Sequence, residues 1–93
     1  MSVLEDVAFV KRGKNRYRVF LALTQPALPS ELARAVFGST SNTHFNMVSR
    51  ALSELSTAGL VEIINPAEKT GRIYRLTKRG TLVRATATLV NSE

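Results

Sequence analysis

SNTHFNMVSRALSELSTAGL, residues 41–60, has the spacing of one long helix with two unlike faces. At about 100° per residue, Phe45, Val48, Ala51, Leu52 and Leu55 share one side, an apolar stripe that requires a core. Asn42, Thr43, Asn46, Ser49, Arg50 and Ser53 fall on the other side, with no carboxylate until Glu54. A merely solvated helix face usually mixes Glu with Lys. A face of amides, hydroxyls and a guanidinium is suited instead to phosphate oxygens and base edges. Gly59, just past the last helical residue, fits a left-handed cap.

The segments on either side build a frame for this helix. Upstream, Ser39 to Asn42 reads as a polar turn, and Leu32, Ala33, Val36 and Phe37 form the apolar face of a short helix that Gly38 ends. Ser30 is placed to cap that helix, with Glu31 in the first turn where the helix dipole favours an acid. Ala27-Leu28-Pro29 is a short extended link, and an earlier helix over Asn15–Thr24 has to stop before Pro26. Val3, Val7 and Val10 share a helical face, although Val7 and Phe9 also fit a strand. Downstream, Leu60–Ile64 is a β-branched strand, Asn65–Gly71 a turn, and Arg72–Leu76 the return strand of a hairpin. Thr77 caps a last helix with a stripe of Leu82, Val83, Ala85, Thr86, Leu89 and Val90, followed by a polar Asn-Ser-Glu tail. The fold class expected is mainly α with a small β-hairpin (α+β), in the order helix, helix, helix, hairpin, helix.

With 93 residues the chain forms one domain, 1–93, with a single modest core. Its 13 Lys and Arg against 7 Asp and Glu give a net charge of +6. A surplus of that size in a chain this short favours a polyanionic partner. There is no cysteine, which excludes a disulfide framework and thiolate metal ligands. The single histidine, His44, sits beside the apolar stripe and reads as a packed or helix-start residue. No Ser-His-Asp or Cys-His arrangement and no phosphate-cradling glycine loop is visible, and the acids are scattered. Neither an enzyme nor a cofactor or metal site is therefore expected. No signal peptide or membrane-spanning run is visible, so the expected location is the cytoplasm, or the nucleoid for a DNA-bound protein.

Two motifs sharpen this reading. MVSRALSELSTAGLVE (Met47–Glu62) resembles the recognition-helix signature of the MarR and ArsR groups of prokaryotic regulators. GRIYRLTKRG (Gly71–Gly80) resembles their wing strand. FVKRGKNRYRVFLAL and LPSELARAV are similar to archaeal members. The resemblance implies a winged helix-turn-helix. One departure is the stretch Phe37–His44, which is longer than the usual turn and either lengthens the turn or adds a helical turn to the recognition helix.

In such a fold a recognition helix at about 42–58 enters the major groove, and a wing at 65–72 reaches the minor groove or its phosphates. The DNA contacts implied are Asn42, Thr43, Asn46, Ser49, Arg50 and Ser53 on the helix and Lys69 and Arg72 on the wing. Arg12, Lys14, Arg16 and Arg18 form a basic cluster that could meet the DNA backbone. Arg50 could instead pair with Glu54 one turn later. Tyr17, Tyr74 and the phenylalanines are most simply core residues, with base stacking as the competing use. The apolar terminal segments, 1–12 and 78–93, exceed what a minimal winged helix needs and are candidate dimerisation elements; folding back onto their own domain is the alternative. The expected function is sequence-specific double-stranded DNA binding by a homodimeric transcriptional regulator. A non-specific architectural DNA binder and a protein–protein interaction module are the rivals.

Overall fold

The computed structural model describes residues 2–90. The tail at 91–93 and the Val90 side chain, both part of the expected C-terminal element, lie outside the described residues. Five helices and a two-stranded hairpin follow in order: α1 (Val3–Arg12), α2 (Lys14–Ala22), α3 (Pro29–Phe37), α4 (Asn42–Thr57), β1 (Val61–Ile63), β2 (Tyr74–Leu76) and α5 (Lys78–Val90). The mainly helical α+β class expected from the sequence is found; the order differs from the expected helix, helix, helix, hairpin, helix by one more helix before the hairpin, because the N-terminal segment forms α1.

The valine-rich N-terminal segment, for which helix and strand were both open, is helical. Ser2 and Glu5 settle it with a reciprocal cap: the Ser2 hydroxyl accepts from Glu5 N–H at 3.1 Å, and Glu5 Oε1 accepts from Ser2 N–H at 2.9 Å. Hydrogen bonding to the Glu5 carboxyl from the Ser2 backbone first, and from the Ser2 side chain second, holds that carboxyl below its ordinary range. Lys11 and Arg12 in the last turn suit the opposite end of the dipole.

Ser30 is not the cap of α3. Pro29 is already helical and Leu28 is the N-cap. The fixed φ of proline suits the first helical position, where no N–H is needed. Glu31 reaches back to accept the Leu28 N–H at 2.7 Å, so the acid rather than the serine satisfies the helix start. Thr77, by contrast, caps α5 as expected. Its hydroxyl accepts from Gly80 N–H at 3.0 Å and donates to the Gly59 carbonyl at 2.7 Å.

Gly59 ends α4 at φ 78°, with Leu60 N–H donating to the Leu55 carbonyl and Gly59 N–H to that of Ser56. This paired pattern turns the chain sharply from helix into β1. The strands are antiparallel with Val61, Glu62 and Ile63 opposite Leu76, Arg75 and Tyr74. The return strand begins at Tyr74, later than the expected Arg72. On the other edge of β2, Ala27 exchanges two backbone hydrogen bonds of 2.9 Å with Tyr74. The extended link before α3 is thereby fastened to the hairpin.

The core gathers Val19, Phe20 and Leu23 from α2, Leu32 and Ala33 from α3, and Val48, Ala51, Leu52 and Leu55 from α4. Leu60 and Val61 close it below the hairpin. Val7 and Val10 of α1 join Val83 and Ala87 of α5 in the same core, so the terminal helices fold onto each other within one chain. A buried Asp6 carboxylate meets Arg79 at 2.5 Å across that contact, while its Oδ1 has no partner. Gly80 lies against the chain at Leu60: a Cβ there would stand 1.9 Å from the Leu60 carbonyl oxygen. Leu4, Leu82 and Leu89 remain exposed on the outer surface of the terminal helices. No helix among the described residues is long and apolar enough to cross a membrane.

Candidate nucleic-acid interface

α4 is one continuous helix of 16 residues, preceded by Ser41, whose hydroxyl accepts the His44 N–H at 3.3 Å. The segment between α3 and α4 is thus only residues 38–41, and the additional length in the sequence goes into the first turn of α4. The His44 ring stacks on Phe37, with centroids 4.6 Å apart and planes 9° from parallel. Its Nδ1 lies 3.2 Å from the Ser41 hydroxyl. His44 therefore ties the start of α4 to the end of α3.

Asn42, Thr43, Asn46, Arg50 and Ser53 are all exposed on α4, and Ser49 is half-buried at its margin. The one carboxylate of the helix, Glu54, lines the cleft beside Arg50 but is ion-paired elsewhere. Arg16 binds Glu54 Oε1 at 3.2 Å, so the pairing of Arg50 with Glu54 is not made. Arg50, Lys14 and Lys69 have no ion pair among the described residues. Most described acids are occupied: Asp6 by Arg79, Glu62 by Arg75, Glu31 and Glu5 by backbone N–H groups. The surplus positive charge is consequently left on basic side chains that face outward.

Two clefts flank the exposed side of α4. One, of about 410 Å³, lies between α4 and the start of α2 and brings Asn46 and Arg50 together with Lys14 and Arg16. The other, of about 450 Å³, lies between α4, the start of α3 and the hairpin loop, and joins Ser49 to Lys69 and Arg72. Asn42, Thr43 and Ser53 line neither cleft and stand on the open surface of α4.

The hairpin loop that carries Lys69 and Arg72 has its own scaffold. The Asn65 side chain donates to the Gly71 carbonyl at 3.0 Å and accepts the Ile73 N–H at 2.7 Å. Arg72 Nε donates to the Glu68 carbonyl at 2.7 Å. Arg72 thus shapes the loop, whereas Lys69 points a charge out of it without such a bond.

The basic cluster near α2 divides in the same way. The Arg16 side chain is 13% exposed; its guanidinium donates to the Phe9 carbonyl, lies 3.9 Å from the centre of the Phe9 ring and holds Glu54. Gly13 makes room for it, since a Cβ there would stand 2.9 Å from the guanidinium carbon. Arg18 donates to the Val36 carbonyl at 2.6 Å and lies over Phe37. Both arginines brace helices. Lys14 and Arg12 are exposed, and of these only Lys14 lines a cleft beside α4.

Phe45, expected in the core stripe, is instead exposed and lines the cleft beside the hairpin loop. It sits at the edge of the stripe and near the helix start, in a cleft that Leu28 and Pro29 also line. Met47 on the opposite flank is also exposed and borders the other cleft. Neither was singled out as a site residue, because helical spacing places a side chain on an angle but does not say where the neighbouring element ends.

The chain matches no protein-family model, no curated protein and no solved structure.

Proposed function

We propose that the protein is a winged helix-turn-helix that binds double-stranded DNA as a homodimer and regulates transcription. In this reading α3 and α4 are the helix-turn-helix and α4 is the recognition helix. The loop between β1 and β2 is the wing. Ala27, bridged to β2, supplies the third strand position of the small sheet that carries it. The observation that carries the proposal is the outer face of α4. It presents amide, hydroxyl and guanidinium groups, and its one carboxylate, Glu54 at the edge of the cleft, is neutralised by Arg16.

Arg50 is the leading candidate for a guanine or phosphate contact, with Asn46 beside it able to pair with adenine. Lys14 and Lys69, on either flank, suit the two strands that border a major groove. Such contacts release condensed counterions, so binding should weaken steeply with salt. Leu4 and Leu82 on the terminal helices offer an apolar surface for a second copy. A two-fold dimer would set its recognition helices roughly 34 Å apart and favour a palindromic site.

In vitro selection of bound duplexes, followed by footprinting, tests these elements together. The expected result is an enriched palindrome with half-sites one duplex turn apart. Equal affinity for selected and random duplexes at fixed salt would establish the architectural alternative. An absence of salt-sensitive DNA binding would overturn the proposal and favour a protein-interaction module.

A further inference from the structure

Phe45 interrupts the polar surface of α4. The other members of its stripe, Val48, Ala51, Leu52 and Leu55, are at most 2% exposed, whereas Phe45 is 39% exposed. It belongs neither to the buried core nor to the half-buried margin packed on it. A lone exposed apolar residue needs no explanation in general. This one has a particular setting. It stands at the end of the first turn of α4, next to Asn46 and one turn before Ser49. It also shares the 450 Å³ cleft with Lys69, Arg72 and Tyr74.

We infer that Phe45 is a specificity-determining residue that packs against the C5-methyl group of a thymine. The inference rests on the proposed DNA-binding function of α4. In the major groove that methyl is the apolar feature of the base edges, and a phenylalanine side chain is one of its natural partners. Residues near the start of a recognition helix are those that reach base edges. Ser49 and Asn46, which follow it on the polar side of the helix, can take hydrogen bonds from or to neighbouring groups, so the ring would select one thymine at the edge of a polar contact set. Lys69, across the cleft, suits the phosphate of the strand that carries it. The part of the ring that folding leaves exposed gains burial on binding.

The test uses the full-length chain and the duplex obtained by selection. Each thymine of that duplex is replaced in turn by deoxyuridine, which removes only the methyl group. Affinities are measured at fixed salt for the wild type, Phe45→Ala and Phe45→Leu. At one thymine per half-site the wild type should lose about fourfold, the value of burying one methyl-sized group. Phe45→Ala should show no loss there, and Phe45→Leu an intermediate one. Phe45→Leu should melt close to the wild type and Phe45→Ala somewhat lower, since the ring is partly buried outside the core; the thymine-to-deoxyuridine comparison within each protein does not depend on that difference. Equal deoxyuridine penalties in wild type and Phe45→Ala, or none in the wild type, overturn this inference and leave the proposed function standing. A pool with no preferred sequence overturns both.

Discussion

The paired terminal helices and the α4–hairpin face use charge in opposite ways. Between α1 and α5 a carboxylate is buried against an arginine, and the start of α5 presses a glycine onto the carbonyl of Leu60, just before β1. On the other side Arg50, Lys14 and Lys69 stand in solvent beside open clefts. The buried positions of the first region tolerate little substitution because their atoms have close neighbours. The second is tolerant for folding because its side chains have few. Stability and binding are therefore expected to be separable: changes in the first region should move unfolding, and changes in the second should move affinity for DNA.

The strongest challenge to that separation is Gly80→Ala. A methyl group 1.9 Å from the Leu60 carbonyl oxygen cannot be accommodated without moving the start of α5. A loss above about 4 kcal/mol, or no folded protein, is expected by urea denaturation. Near-wild-type stability would mean that α5 does not lie against Leu60. Next in size is Arg79→Ala, which leaves the Asp6 carboxylate buried and without its arginine. About 3 kcal/mol should be lost in the same measurement. The double change Asp6→Asn/Arg79→Ala should recover part of it, since the amide carries no charge to strand.

On the other face, Arg50→Ala should weaken binding to the selected duplex by about 1–3 kcal/mol and relax preference at one base pair. Its melting temperature should match the wild type. A melting temperature that fell with affinity would erase the contrast between the regions. The smallest effect is expected from Lys69→Ala. Binding should weaken to a similar degree on all sequences, with the slope of log K against log salt reduced by about one. An unchanged slope would remove the hairpin loop from the interface and confine binding to α4.

The elements whose cues lie close together were legible in the sequence. The apolar spacing of α4, Gly59 after it and Thr77 before α5 each identify a feature within about one helical turn, and each appears where expected. Cues that depend on distant partners were not. Arg16 belongs to a basic run by sequence, yet its role is set by Glu54, 38 positions later, and by a fold-back onto Phe9 that Gly13 permits. Ser30 had the residue type of a cap, but the proline before it already satisfied the geometry of the first turn. Phe45 lay on the correct angle for a core residue beyond the reach of the core. For the candidate site, the polar face of α4 was readable because it depends on a single helix. The two clefts were not, because each is made by elements far apart in the chain.

The Asp6–Arg79 pair has a consequence for the order in which the molecule assembles. It joins positions 73 residues apart, closing nearly the whole chain into one loop. Closing so long a loop costs more chain entropy than pairing α3 with α4. Contacts of that span are expected to form after the local ones. The α1–α5 contact should form last and open first, by local excursions that leave α3, α4 and the hairpin intact. Amide hydrogens of α1 and α5 should then exchange with solvent faster than those of α4, and a protease should nick these terminal helices before it reaches the rest.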